Sequence, residues 1–296
     1  MSTLLAVVEA GSLSAASRTL GAPLSTVSRR IAELEEHLGT GLLTRTSRRL
    51  ELTEAGRAYV VACRRILADL EEAELTAAGE YSSPRGDLAI TAPIVFGRLH
   101  VLPVAAEFLA AYPEIDIRLT LADRVFDLVE EHVDLAARIG TLPDSGLLAA
   151  KVGEVRMVTC ASPEYLEARG TPKTPDQLRS HSCITFGGVG PALTWTFAGE
   201  GGAITVPVRP RLAVNTAEAA IDAAIASVGI TRVLSYQAAA TVRSGALVAV
   251  LKGFEPAPAP VNLVHAGQPL MPLKTRAFLD FAGPRLKRRL REQVRR

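Results

Sequence analysis

The sequence predicts an α/β protein: a short helical N-terminal segment, then one long helix, then a larger region where strands and helices alternate. Three observations carry this. Residues 1–53 hold two short helical periods around a Gly-Ala-Pro turn, and residues 54–79 hold one unbroken helical period. Beyond residue 86, apolar runs of strand length alternate with helical ones. A length of 296 residues suits two or three units rather than one small domain. With 48% hydrophobic and 22% charged residues the chain can build cores, which excludes a disordered class.

Residues 3–10 alternate like a short amphipathic helix that Gly11 stops. Ser12 or Ser14 can cap the next helix, whose Ala15, Ala16 and Leu20 give a small buried face before Gly21. Ala22-Pro23 makes the turn. A helix then runs from Leu24 to Leu38, with Val27, Ile31, Leu34 and Leu38 inward and Gly39 as its terminator. Pro23 suits a first helical turn and leaves Ser25 as the candidate hydroxyl cap. Two helices this short, joined this way, form a helix-turn-helix. Residues 42–52 read as two short strands with a charged tip, a wing. Thr53 can cap a helix from Glu54 to about Gly79, whose apolar stripe through Tyr59, Ala62, Ile66 and Ala73 seeks a partner helix. The run Ser82-Ser83-Pro84-Arg85-Gly86 marks a boundary.

After it, strands are expected at 87–92, 115–122, 134–139, 158–161, 183–186, 230–234 and 261–265, with a hairpin through 195–208. Helices are expected at 97–112, 125–132, 164–169, 217–228 and from Leu273 onward. Buried strands between helices imply parallel sheets covered on both faces.

Net charge is only +2, so charge placement matters more than its sum. Within residues 1–53 every base (Arg18, Arg29, Arg30, Arg45, Arg48, Arg49) lies between 18 and 49. A second basic run, Arg285, Lys287, Arg288, Arg289, Arg291, Arg295 and Arg296, reads as the solvated face of the last helix, with Ala277, Phe278, Phe281 and Leu286 inward. Cys63, Cys160 and Cys183 are unclustered and odd in number, which points to reduced thiols and a cytoplasmic location. The start has no basic n-region and meets Glu9 early, so it reads as a helix. No uninterrupted apolar run approaches the ~20 residues of a spanning helix, and no membrane role is expected. A nucleophile elbow, a phosphate-binding loop and a Cys-x-x-Cys pair are all missing, so neither an enzyme nor a cofactor or metal site is expected.

The chain resembles a LysR-type transcription regulator nearly end to end. The resemblance is carried by Val7-Val8-Glu9-Ala10-Gly11-Ser12-Leu13-Ser14-Ala15-Ala16, Leu20-Gly21 and Ser25-Thr26-Val27-Ser28-Arg29-Arg30-Ile31. Leu34-Glu35, Leu38-Gly39 and the run from Leu42 to Gly56 continue it. Later segments are also similar to the family: Ala92-Pro93, Asp134-Leu135-Ala136-Ala137-Arg138-Ile139-Gly140, Cys160-Ala161-Ser162-Pro163-Glu164-Tyr165-Leu166 and Val228-Gly229-Ile230. The resemblance implies a winged helix-turn-helix over 1–53, a linker and dimerisation helix over 54–83, and a two-lobed, periplasmic-binding-protein-like effector domain over 84–296. Lobe 1 would take about 87–157 and 264–296, and lobe 2 about 158–263. The implied partners are double-stranded DNA, RNA polymerase, a second copy or three (homodimer or homotetramer), and a small effector, an anion among the candidates.

Residues at the start of a recognition helix face base edges in the major groove, which makes Ser25, Thr26, Ser28, Arg29 and Arg30 the candidate readers. Arg45, Arg48 and Arg49 on the wing would meet phosphate or minor groove. The resemblance places Pro93, Ile94, Val95, Arg138, Ile139, Gly140, Thr185, Asn215, Glu218 and Thr231 around an effector cleft. Helices beginning near Gly97 and Ala217 would aim free N–H groups there, and such termini attract carboxylates or phosphates. Asn215 or Thr216 serving as a simple cap is an equally good reading. Arg232 would lie near the site or pair with a surface acid, and Cys160 with Cys183 is a minor candidate for a redox pair.

Overall fold

A computed structural model describes residues 1–45, 50–77, 83–142, 146–186, 193–267 and 271–295. The chain divides into two compact units, Met1–Asp87 and Leu88–Arg296.

The first unit opens with α1 (Ser2–Ala10), ended by Gly11 at φ 69°, a left-handed conformation that glycine adopts without steric penalty. Ser12 caps α2 (Leu13–Thr19): its hydroxyl accepts the Ala15 N–H at 3.1 Å. Next comes α3 (Leu24–Leu38), and its N-terminus differs from expectation. Pro23, extended at ψ 142°, takes the cap position and makes no side-chain capping bond. Ser25 lies one residue inside the helix, past the point from which a hydroxyl caps, so it is not the cap. Leu4, Val7, Ala16, Val27, Ile31, Leu42 and Val60 form one small core, whereas Leu38 in the last turn is exposed. β1 (Leu43–Arg45) pairs antiparallel with β2 (Leu50–Leu52). α4 (Glu54–Ala77) starts at Thr53, whose hydroxyl accepts the Gly56 N–H at 2.9 Å and donates to the Gly41 carbonyl at 2.8 Å.

The second unit takes up β3 (Gly86–Ala92), then α5 (Ile94–Phe96), which passes through one π-turn at Gly97–Val101 into α6 (Leu102–Ala111). This helix begins three residues before the expected 97, because Pro93 is already extended and ends the strand. There follow β4 (Ile115–Leu121), β5 (Leu135–Ile139), β6 (Leu147–Val155), β7 (Met157–Ala161), α7 (Pro163–Arg169) and β8 (Cys183–Phe186). β9 (Leu193–Gly199) and β10 (Gly202–Val208) form the expected hairpin. Then come β11 (Pro210–Val214), α8 (Ala217–Ile225), β12 (Ile230–Leu234), α9 (Ser235–Arg243), β13 (Val248–Val250), β14 (Ala259–Ala266) and α10 (Leu273–Arg295).

Two five-stranded sheets result, ordered β4-β3-β5-β14-β6 and β11-β8-β12-β7-β13. They are mixed, not parallel. β3 with β5, and β8 with both β11 and β12, pair in parallel, but β14 runs antiparallel to β5 and β6, and β7 antiparallel to β12 and β13. The chain passes from the first sheet to the second after β6 and returns at β14. A strand that arrives by such a crossing is free of the helical crossover that enforces parallel pairing.

Residues 125–132, expected as a helix, form turns. The Asp127 carboxylate accepts the N–H groups of Val129 and Glu130, at 2.9 and 3.0 Å, and so competes with the helical pattern. One continuous core underlies both sheets, with Ile90, Leu135 and Val261 from the first and Cys160, Ile184 and Val233 from the second. Among the described residues one helical stretch, Ile94–Ala111, is long and apolar enough to cross a membrane by length and composition. Its Phe96, Val104 and Phe108 belong to that core.

Candidate functional site

On α3 the helical period separates two faces. Val27 and Ile31 point into the core, while Ser25, Arg29 and Arg30 are exposed and Thr26 and Ser28 half-buried. The five residues expected to read DNA therefore lie in the first two turns of one helix, with the two guanidiniums in water. Arg29 Nε meets Glu33 Oε1 at 3.7 Å, an exposed pair that holds the side chain only loosely. Arg45 is the last residue of β1, and Arg48 and Arg49 lie outside the described residues.

Two features that sequence reasoning did not assign fix α3 against the wing. Glu35 Oε1 accepts the N–H groups of Leu42 and Leu43, at 2.7 and 3.0 Å, so one carboxylate on α3 sets where β1 begins. Gly56 is the second: a Cβ there would lie 2.0 Å from the Leu42 carbonyl oxygen. Only glycine lets α4 approach the strand that closely. Both residues fall inside the quoted motif, but spacing alone does not reveal what they touch.

Most of the residues expected at an effector cleft lie at or just beyond the C-terminal ends of strands, where ligands bind in α/β folds, but Thr231 is the second residue of its strand. Pro93, Ile94 and Val95 follow β3; Arg138, Ile139 and Gly140 close β5; Thr185 is near the end of β8; Asn215 follows β11; Glu218 opens α8; Thr231 is in β12. Gly140 has φ 106°, which a side chain would strain. An ion pair links the two sets, Arg98 beside α5 reaching Glu218 at 3.3 Å.

Most polar groups here are already engaged. Arg138 donates to the Phe126 carbonyl at 2.5 Å, and burial lowers its pKa from the ordinary arginine value. Thr231 is fully buried and donates to the Ile184 carbonyl at 3.3 Å, a bond within the sheet. Thr216, not Asn215, caps α8 by accepting the Ala219 N–H at 3.3 Å, and Asn215 is exposed. The Ile94 N–H is taken by Asp123 Oδ1 at 3.1 Å. Asp123 was missed in the sequence, where nothing separates a carboxylate at a helix start from an ordinary turn residue. By contrast, the buried Thr185 hydroxyl oxygen has no hydrogen-bond partner among the described residues.

Among the described residues Arg232 pairs with no acid. Its guanidinium stacks on Phe197 at 4.5 Å and donates to the Thr196 carbonyl at 2.5 Å, pinning the β9–β10 hairpin. Cys160 and Cys183 do not form a pair. They lie on β7 and β8, on either side of β12, opposite Thr231 and Ile230 respectively. That separates them by two strand spacings, roughly 9–10 Å, beyond disulfide reach, and on opposite faces. Burial pushes the Cys160 thiol up to about 12 and Cys183 up to about 11, so neither is a ready nucleophile.

Comparison with known proteins agrees with this division. Residues 1–57 match the bacterial regulatory helix-turn-helix protein model of the lysR family, and residues 82–287 match the LysR substrate binding domain model. An HTH-type transcriptional regulator of Xanthomonas campestris pv. campestris (strain 8004) is 39% identical over 284 residues, covering 95% of this chain and 83% of that protein. The solved structure of CrgA, a LysR-type transcriptional regulator from Neisseria meningitidis, is 32% identical with a TM-score of 0.62, covering 98% of this chain and 97% of that one. The full-length structure of AphB, the Vibrio cholerae virulence activator, is 29% identical with a TM-score of 0.61, covering 95% and 96%. These relatives are transcription regulators rather than enzymes. The chain belongs to the LysR family: it is a DNA-binding transcription regulator with a helix-turn-helix segment and an effector-binding domain.

Proposed function

We propose that this regulator reads its operator with Ser25, Thr26, Ser28, Arg29 and Arg30 of α3, and that a small effector bound among Pro93, Ile94, Val95, Arg138, Ile139, Gly140, Thr185, Asn215, Glu218 and Thr231 alters that binding. The observation that carries the first half is α3 itself, which buries Val27 and Ile31 and leaves Arg29 and Arg30 in solvent. Arginine grips guanine O6 and N7 bidentately, and hydroxyls serve bases or phosphates. Arg45, Arg48 and Arg49 are the residues this reading assigns to phosphate or minor groove. The second half rests on the unpartnered Thr185 hydroxyl and on the starts of α5 and α8, whose first amides lack intrahelical acceptors. An anion is the effector class that such groups favour.

The working unit is a homodimer or homotetramer in the cytoplasm, joined through α4, where Ile66 and Leu70 are 50% and 52% exposed one turn apart. In this reading residues 1–53 are the DNA-binding head, 54–83 the linker, with α4 its described helical part, and 84–296 the effector part. The effector works by binding one arrangement of the two lobes better than the other, typically with about 1–3 kcal/mol of coupling, and the outcome passes to RNA polymerase.

The test is fluorescence anisotropy of the full chain on DNA from its own upstream intergenic region, with scrambled DNA of equal length and a salt series. Tight, sequence-selective binding that weakens steeply with salt is expected. Equal binding to both DNAs at every salt concentration would contradict base reading by α3.

A further inference from the structure

The largest concentration of charge in this chain is not on the helix-turn-helix. Residues 1–53 hold six arginines against five glutamates. The helix α10, Leu273–Arg295, holds eight lysines and arginines against two acids. That excess of six exceeds the +2 of the whole chain, so the rest of the molecule is net negative.

The fold sorts the α10 charges into two tiers. Phe278, Ala282, Leu286 and Leu290 are four apart and buried, forming the inward stripe. Arg285 and Arg289 flank it and are tied down. Glu107 on α6 takes both at 3.1 Å, and Arg285 also lies over the Phe281 ring at 3.4 Å. Lys287, Arg288 and Arg291 lie on the opposite side, exposed, around one open groove with Pro284 and Glu292. Among the described residues none of these three has an ion-pair partner. Like charges at i,i+3 and i,i+4 repel, and Glu292 is the one acid among the residues lining the groove, so the face keeps a net positive charge. Packing of α10 requires none of the three.

We propose that Lys287, Arg288 and Arg291 form a second polyanion-binding surface, and that its partner is the phosphate backbone of duplex DNA, gripped without regard to sequence. The proposal rests on the DNA-binding reading above. Several observations favour duplex DNA over other polyanions. The groove holds no aromatic side chain, which a protein interface places at its centre and a single-stranded nucleic acid needs for stacking, and Pro284 is its one apolar residue. The apolar side of α10 is buried in the core, so the helix has nothing to insert into a lipid surface. Guanidinium groups match phosphate geometry bidentately, and the established partner of this family is DNA.

The experiment uses the full chain and two triple variants. Lys287→Gln, Arg288→Gln and Arg291→Gln together remove the charge; Lys287→Arg, Arg288→Lys and Arg291→Lys together keep it. Each is titrated against operator and scrambled DNA by anisotropy over a salt series, with a thermal melt as a fold control. The neutral variant should bind both DNAs about 10-fold more weakly at low salt, and its plot of log affinity against log salt should be shallower by about 2 to 3. The operator-to-scrambled ratio should not change, and the charge-keeping variant should behave as the unaltered chain. An unchanged salt slope in the neutral variant overturns the proposal. Loss of transcriptional output with that slope unchanged would also overturn it, in favour of an acidic protein partner. Failure of the unaltered chain to bind any DNA overturns the DNA reading itself. Loss of operator preference in an Arg29→Ala chain that keeps the slope bears on α3 alone.

Discussion

The proposed recognition helix α3 and the segments proposed for the effector cleft hold their polar groups in opposite ways. On α3, Ser25, Arg29 and Arg30 stand in solvent, and Arg29 has only a loose exposed partner in Glu33. In the second unit the comparable groups are spoken for: Arg138 by the Phe126 carbonyl, Thr231 by the Ile184 carbonyl, the Ile94 amide by Asp123, and Glu218 by Arg98. Solvent can satisfy exposed groups such as those on α3, whereas a protein interior must satisfy its own donors and acceptors. A DNA surface can therefore stand ready on a rigid helix. If an effector binds among the proposed cleft residues, it must instead displace bonds that already exist, and such competition would couple its binding to conformation.

The sharpest break of the comparison separates the two faces of α3. Ile31→Ala removes a buried side chain from the small core of the first unit and should destabilise it by about 2–5 kcal/mol, with operator binding lost as that unit unfolds. Heating followed by circular dichroism, beside anisotropy, measures both; an unchanged melting profile would mean the α3 core contributes little.

Next in size is a buried group of the second unit. His100 is held at about 4 by burial and by the nearby Arg289 charge, below its ordinary 6.5, and its Nε2 has no partner. The unfolded chain binds the extra proton between those values, so this contribution is present above pH ~6.5 and is lost as pH falls towards ~4. Replacing His100 with Phe should flatten that part of the stability profile, by an order of magnitude of 1–3 kcal/mol. Urea unfolding at pH 7 and pH 5 gives the difference; equal slopes in both proteins would sink the idea.

Smaller effects sharpen the cleft side. Thr185→Val replaces an unpartnered buried hydroxyl by a methyl group of similar shape, so stability should hold or rise by up to ~1 kcal/mol. Effector affinity should fall in the same variant, and a fall in melting temperature with unchanged affinity would reverse the assignment. Asp123→Asn removes the carboxylate at the start of α5 and should tighten binding of an anionic effector a few-fold by calorimetry. Weaker binding would show that Asp123 positions the ligand rather than competing with it.

What the sequence made legible follows the same contrast. The helix-turn-helix could be read because Val27 and Ile31 recur at helical spacing and because Gly11 and Gly39 end their helices in the left-handed conformation. β6 was invisible: Leu147–Val155 is an edge strand with most side chains exposed, so it shows neither a buried run nor alternation. α9 was missed because it follows β12 with no glycine or proline between them, and its start is marked only by Gln237 accepting the Leu234 N–H at 2.8 Å. Residues 125–132 misled because the Asp127 side chain takes the amides a helix needs. For the residues proposed at the cleft the sequence offered positions but not their hydrogen-bonded states. Whether Thr231 bonds within its sheet, or Asp123 reaches Ile94, depends on segments brought together only by the fold.

The central claim, that α3 presents a ready-made surface for base readout, is tested most directly by Arg29→Ala, with operator and scrambled affinities measured separately. Loss confined to the operator, about 1–3 kcal/mol, with the melting profile unchanged is the predicted result. Equal loss on both DNAs would make Arg29 a phosphate contact, and no loss on either would contradict the assignment of α3 as the reading helix.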